Sequence, residues 1–414
     1  MRHIVYEGWR TGVELDKGTH RGTTIRGEVL VLDEPTGERD YTDPHGDGAP
    51  VRYEEATWVS PDMTPSFPVS EVIPSWNAAT PPGTWIEVAV SATTSAGAAT
   101  KEYVLARWAE SDRDIHPTSV PDQSDEHARV AIDVLRAAPG HTFATFRLHV
   151  RLLRRVGPEI GPEIDSEIGS DIDSGAGAET GPSVSLVGAM ASNLPRHAAV
   201  EPSAGAGAHG QLIDVPPLSQ QLHLGEYPQW GNGGESWCSP TATTMVLAHW
   251  GRGPQPEEYA WVEPHCEDRV VDFAARHVFD HNYQGPGNWS FNTAYAARYG
   301  MRAFVTRLRS LAEAEEFIKA GIPLIVSVSF TRDQLDGAGY DTQGHLLTIV
   351  GFDESGNVIC NDPASHKIPS NGEVRTTYAR EQFERVWQSP SGGLTYVIHP
   401  PEKALPERTE QPNW

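Results

Sequence analysis

The stretch from Glu235 to Gly251, ESWCSPTATTMVLAHWG, constrains this chain most, because it reads as a helix bounded at both ends with a cysteine at its mouth. Ser239 is a good N-cap, Pro240 suits a first turn where its missing N–H would be unpaired anyway, and Gly251 is a left-handed stop. Ala242, Met245, Val246 and Trp250 recur at helical spacing, which predicts one apolar face buried against a sheet. Cys238 is then fixed at a helix N-terminus, where unpaired amides and the helix dipole favour thiolate over thiol. Taken alone it has a blander reading, since free cysteines commonly pack as small hydrophobes.

At 414 residues the chain has room for two or three cores. No uninterrupted apolar run approaches the ~18 residues of a membrane span, so no membrane insertion is expected. The formal net charge of −24 argues against nucleic acid and anionic membrane surfaces as partners, since both need a basic patch. The three cysteines, Cys238, Cys266 and Cys360, are too few and too scattered for a disulfide framework or a paired-cysteine zinc site. His265-Cys266 lacks a second ligand pair at zinc spacing, so neither metal nor cofactor is expected. The first ten residues carry no apolar h-region and no small-residue cleavage site. For the sequence as given the expected location is cytoplasmic, with an extracellular product of a longer reading frame as the alternative.

Residues 1–200 read as an N-terminal all-β domain. Short β-like runs at Gly27–Leu32, Thr84–Val90, Tyr103–Trp108 and Thr142–Leu152 are separated by turn signals such as Asp43-Pro44-His45-Gly46 and Pro81-Pro82-Gly83, which predicts an antiparallel sandwich. In Thr84–Val90 the strict alternation predicts a half-buried strand. Trp58, Trp76, Trp85 and Trp108 read as core, with a sugar-stacking surface as the lesser alternative. An acidic low-complexity segment near 157–180 is expected to be a disordered insertion, followed by a last strand within Pro182–Met190. Residues 201–210, rich in Gly and Ala, read as a linker, 211–400 as a second domain and 401–414 as a tail.

The second domain holds a buried strand at Ile322–Phe330 and a hairpin of His345–Phe352 with Asn357–Asp362 around Asp353-Glu354-Ser355-Gly356. If Phe352 faces Asn357 across that four-residue loop, His345 faces Ala364 and Asp362 becomes its diagonal neighbour on the same face. Asn361 then points to the opposite face. A cysteine nucleophile needs a base and a group that orients the base, and Cys238, His345 and Asp362 supply those types. An amide side chain and the cysteine's own N–H suit a developing oxyanion, and Gln220 is the candidate. Singly, His345 is an ordinary strand-end histidine and Asp362-Pro363 an ordinary turn.

Four ordered motifs carry a resemblance: Val215-Pro216-Pro217-Leu218-Ser219-Gln220, Trp237-Cys238-Ser239-Pro240 with its Met245-Val246-Leu247 helix, Gly344-His345 before a β-run, and Asn361-Asp362-Pro363-Ala364. Over Gln211 to Pro400 the chain resembles the peptidase C39-like branch of the papain-type cysteine peptidases. The resemblance implies an α+β, papain-like cysteine peptidase domain behind the β-sandwich. It also implies Cys238 as nucleophile, His345 as general base and then acid, Asp362 as orienting residue and Gln220 as oxyanion donor. A peptide or protein is the implied substrate. A catalytically inactive protein whose sandwich binds a glycan or protein ligand is the alternative. The family usually has Cys-Gly-Pro where this chain has Cys238-Ser239-Pro240, and a short gap where this chain inserts Gln221 to Trp237, which makes Gln221 and Gln229 rivals of Gln220. Transporter-fused relatives cut after a double-glycine leader; with no membrane segment here, that job is not carried over. The N-terminal sandwich is similar to one found in actinobacterial members, and the Ala/Gly/Arg/Pro-rich composition fits a high-GC bacterium.

Overall fold

The computed structural model describes residues 2–157, 181–195, 200–407 and 411–414, so the expected disordered insertion lies, from residue 158 on, outside the described residues. The chain is mostly strand with few helices. None of the described helices is long and apolar enough to cross a membrane.

The first half forms two antiparallel sheets. One has Ser183–Asn193 at its centre, hydrogen-bonded to Glu71–Ala79, His3–Trp9 and Val29–Leu32. The other is built on Phe143–Arg155 between Val51–Val59 and Thr84–Thr94. Val72, Trp76 and Val187 from the first sheet and Trp58, Val88 and Val150 from the second are fully buried in one cluster. All four tryptophans considered as a sugar-stacking surface, Trp58, Trp76, Trp85 and Trp108, are buried and offer no such surface.

The expectation of a half-buried strand over Thr84–Val90 is corrected, because Thr84–Thr94 is covered on both faces. Trp85 on its outer face packs with Tyr53, Ile115 and Leu153. Beside it Glu87, its side chain 3% exposed, pairs with Arg39, Arg107 and Arg151 at 3.0–3.2 Å. Burial alone would raise this carboxyl, yet the three guanidiniums hold it below its ordinary value. Alternation in the sequence marks faces, and it cannot tell water from a second packed layer.

The second half is a six-stranded antiparallel sheet in the order Arg302–Arg307, Leu394–His399, Leu324–Phe330, Thr342–Phe352, Val358–Asn361, Arg375–Tyr378. Helices Cys238–His249 and Trp289–Arg298 pack against it. The free edge of Arg302–Arg307 is not left to solvent. Asn77 Nδ2 donates to the Ala303 carbonyl at 2.8 Å, the Ala303 N–H donates to Asn77 Oδ1 at 3.1 Å, and the Val305 N–H donates to Ser75 Oγ at 2.9 Å. Side chains of the first half thus satisfy an edge that would otherwise template aggregation.

The stretch 201–210 is pinned to the second half. Glu315 accepts from the N–H groups of Ala206 and Ala208 at 2.7 and 2.9 Å, and Glu384 from that of Ser203 at 2.7 Å. The last residues return to the junction, where Pro412 accepts from the Tyr6 N–H at 3.0 Å, Asn413 Nδ2 donates to the Arg307 carbonyl at 2.8 Å and Trp414 is buried.

Candidate active site

The helix Cys238–His249 begins two residues earlier than its sequence suggests. Trp237 occupies the cap position and donates no side-chain cap, while Ser239 lies inside the first turn with its hydroxyl 3.1 Å from the Tyr396 hydroxyl. Ser239 as N-cap is therefore corrected: its oxygen is used sideways, toward the sheet. Cys238 itself then occupies the first helical position, where the backbone N–H has no partner within the helix. Gly251 has φ +62, the left-handed stop expected of it. The expected single apolar face is also corrected, since every residue from Cys238 to Leu247 is buried. Thr241 and Thr243 tolerate this by donating to the Trp237 carbonyl at 2.7 Å and to Asn292 Oδ1 at 3.3 Å.

His345 lies on Thr342–Phe352 opposite Val328, and Asp362 follows directly on Val358–Asn361. The connecting loop is one residue longer than expected, with Phe352 facing Val358. A bulge between Ile349 and Gly351 then removes the extra residue, so that Ile349 faces Cys360 and Thr348 faces Asn361. Two offsets cancel, and next to the site the register is the one that the four-residue loop had implied. His345 Nε2 meets Asp362 Oδ1 at 2.8 Å. Asn361 points away, donating to the Val215 carbonyl at 3.0 Å and accepting from Arg375 Nε at 3.0 Å.

Asp362 is fully buried and is held by more donors than its sequence context suggests. Besides His345 it accepts from the Tyr378 hydroxyl at 2.6 Å, the Tyr340 hydroxyl at 2.8 Å and the Ala364 N–H at 3.0 Å. Burial pushes its carboxyl up, but His345, Tyr378 and Tyr340 together keep it below the ordinary value. Tyr340 and Tyr378 were missed by motif reading. Neither sits at a recognisable spacing from Asp362; only the pairing of Arg375–Tyr378 with Val358–Asn361 and the fold-back of the segment before His345 bring them there.

Cys238 and His345 line one cleft of about 550 Å³. Burial opposes ionisation of the thiol. The His345 hydrogen bond and charge, helped by the N–H groups of Leu346 and Ser239, outweigh it and hold Cys238 below its ordinary value. For His345 burial favours the neutral ring, yet Asp362 and the facing thiol raise it to about 9. The two shifts favour a thiolate–imidazolium pair, and their titrations belong to the pair. The other cysteines differ in kind. Burial, with Glu226 and Asp272, pushes Cys266 up to about 12, and burial drives Cys360 well above its ordinary value.

Of the three glutamines considered for the oxyanion, only Gln220 lines the cleft. Gln229 is exposed and away from it, and Gln221 is buried outside it. The insertion Gln221 to Trp237 folds as short 3-10 turns that end against Gln220, whose Nε2 donates to the carbonyls of Gly234 at 2.7 Å and Glu235 at 3.1 Å. Gly234 must be glycine for this approach, because a Cβ there would collide with the Gln220 carbonyl oxygen. The opposite rim, Tyr283 to Gly287 with Trp289, was likewise not found from the sequence, although its Gly285-Pro286-Gly287 run is a turn signal.

Residues 212–393 match the family described as Peptidase_C39 like family, and residues 5–168 match the Peptidase C39 N-terminal domain. No curated protein matches the chain significantly.

Proposed function

We propose that this chain, which belongs to the peptidase C39-like family through residues 212–393, is a thiol-dependent amide hydrolase acting on peptides or proteins. The observation that carries the reading is a cleft cysteine held below its ordinary pKa by an imidazole that is itself held up, to about 9, by a buried carboxylate. In this reading the half from 211 to 400 is a papain-like α+β domain, its nucleophile heading a buried helix and its base and orienting group coming from the sheet. The half from 1 to 200 is a β-sandwich domain joined through 201–210.

With Nε2 committed to Asp362, Nδ1 is the ring nitrogen left for the thiol. The Cys238 thiolate attacks the amide carbon, a C–S bond forms, and the carbonyl π electrons move onto oxygen. The Cys238 N–H stabilises that oxyanion, and Gln220 joins it by turning one amide hydrogen away from the Gly234 or Glu235 carbonyl that holds it. Collapse breaks the C–N bond as His345 gives its Nδ1 proton to the departing amine. His345 then takes a proton from water, the hydroxide adds to the thioester, and C–S cleavage restores the thiolate. Acyl transfer to an amine in place of water would use the same groups. Gly231, Gly285, Gly287, Gly344, Ser327 and Ser329 line the cleft and leave main-chain groups within reach, which suits an extended peptide. The inactive-binder alternative rested on Ser239 and the tryptophans; Ser239 is satisfied by Tyr396 and the tryptophans are core.

The test is alkylation of the full chain with iodoacetamide at pH 7, followed by peptide mapping, alongside hydrolysis of a fluorogenic peptidyl amide. Cys238 is expected to label at least about tenfold faster than Cys266 or Cys360, with hydrolysis lost in step. Equal labelling of the three, or hydrolysis surviving full labelling of Cys238, would refute the reading.

A further inference from the structure

Behind the cleft, the insertion and the helix Val270–His277 meet at a buried cluster that the proposed reaction does not use. His223 Nδ1 lies 2.8 Å from Glu226 Oε2 and 3.2 Å from Asp272 Oδ2. One donor atom from each of the three residues lies within 4.8 Å of the others. The side chains of His223 and Asp272 are fully buried. Neither oxygen of Asp272 makes a hydrogen bond among the described residues. His223 Nδ1 carries at most one hydrogen, yet two carboxylates approach it, so that nitrogen cannot satisfy both. A carboxylate left this way in the interior is costly unless a cation or a metal ion balances it. Cys266, also buried, adjoins the group: after burial, Glu226 and Asp272 push its thiol up, although its sulfur lies outside the 4.8 Å set.

We infer that His223, Glu226, Asp272 and Cys266 form a binding site for one zinc-type divalent cation. Metal–ligand bonds of about 2.0–2.3 Å place the donors of a tetrahedral site roughly 3.3–3.8 Å apart, which the 2.8 to 4.8 Å separations among His223, Glu226 and Asp272 bracket; Cys266 lies outside that set and joins it by turning its side chain. A borderline-soft set of one nitrogen, one sulfur and two oxygens selects zinc over calcium or magnesium, which take oxygen donors. On binding, His223 coordinates as neutral imidazole and Cys266 as thiolate, their protons passing to solvent, so the dication's two charges are met by two carboxylates and one thiolate. Four protein donors leave no open position, which makes the site a structural one. It staples the insertion to the helix Val270–His277 directly behind Trp237, whose ring lies 5.8 Å from that of His223, and so steadies the wall that carries Gln220. Paired Cys or His spacing would not reveal it, because each of the two stretches supplies only one His or Cys, beside one carboxylate.

The experiment uses the full chain carrying Cys238→Ala, since Cys238 and His345 would themselves take up metal. After dialysis against a chelator, titration with Zn²⁺ is expected to fill one site. Replacement by Co²⁺ is expected to give the absorption of thiolate-bound cobalt, absent from the Cys266→Ser variant. Asp272→Asn is expected to weaken Zn²⁺ binding more than about a hundredfold, since losing an outer-shell partner alone costs about 10–100-fold. If Asp272→Asn does not fold, the cobalt spectrum of the Cys266→Ser variant decides. No stoichiometric Zn²⁺ uptake, cobalt bound without a Cys266-dependent band, or an Asp272→Asn variant that binds equally well each overturns the inference.

Discussion

Replacing Cys238 with alanine is expected to lower amide hydrolysis by roughly 10⁴–10⁶-fold, and replacing His345 with alanine by a similar factor. The reason lies in the pairing described above: the thiol is ionised because His345 faces it, and the leaving amine departs because His345 gives up a proton. Removing either partner removes both functions. The double variant should therefore be no slower than the worse single one, since residues acting as a unit are grossly non-additive. Turnover at saturating substrate, read beside circular dichroism and melting temperature, separates this from unfolding. Residual activity near a tenth of wild type in either folded variant would contradict the assignment.

The second large effect concerns Asp362. Asp362→Asn preserves shape and one acceptor but removes the charge that raises His345, and a loss of roughly 10–1000-fold in kcat/KM is expected. The sign of the pH effect follows from the shifts. His345 is raised, so the imidazolium is fully formed below its ordinary value and is lost as pH rises through about 9. Cys238 is depressed, so the thiolate persists below the ordinary thiol range and is lost only as pH falls through that lowered value. Wild-type kcat/KM is thus expected to show a plateau whose alkaline limb lies near 9, and in Asp362→Asn that limb moves down toward the ordinary histidine value. Asp362→Ala is expected to be worse in stability as well. It strands two buried tyrosine hydroxyls and the His345 ring, and breaking a buried charged pair costs about 3–5 kcal/mol. Because the Asp362 carboxyl is depressed in the fold, its stabilisation is present above the ordinary carboxyl range and disappears as pH falls through the lowered value. An unmoved alkaline limb in Asp362→Asn would contradict the orienting role.

The approach of His345 to Asp362 was legible from the hairpin alone, yet for a reason that only half holds. Hydrophobic alternation pins which face a residue occupies, whereas loop length and bulges depend on backbone detail that composition does not encode. Here a longer loop and a bulge near Val350 offset one another. The boundary of the Cys238 helix was misread for a comparable reason. Ser239 has the chemistry of a cap, but tertiary packing against Tyr396 claimed its hydroxyl. Tyr340 and Tyr378 were invisible because nothing local distinguishes a tyrosine that ends on a carboxylate from one that fills a core. The junction of the two halves was equally hidden, because Asn77 and Ser75 look like strand polar residues until the edge they serve is known.

The most direct measurement of the central claim is intact-mass analysis of the full chain mixed with a slowly turned-over peptidyl ester and quenched in acid, with the adduct located by peptide mapping. The expected result is one acyl group per chain, on Cys238, abolished in Cys238→Ala and accumulating when deacylation is slowed at low pH. Hydrolysis proceeding with no acyl adduct at any quench time, or with the adduct on a residue other than Cys238, would contradict it.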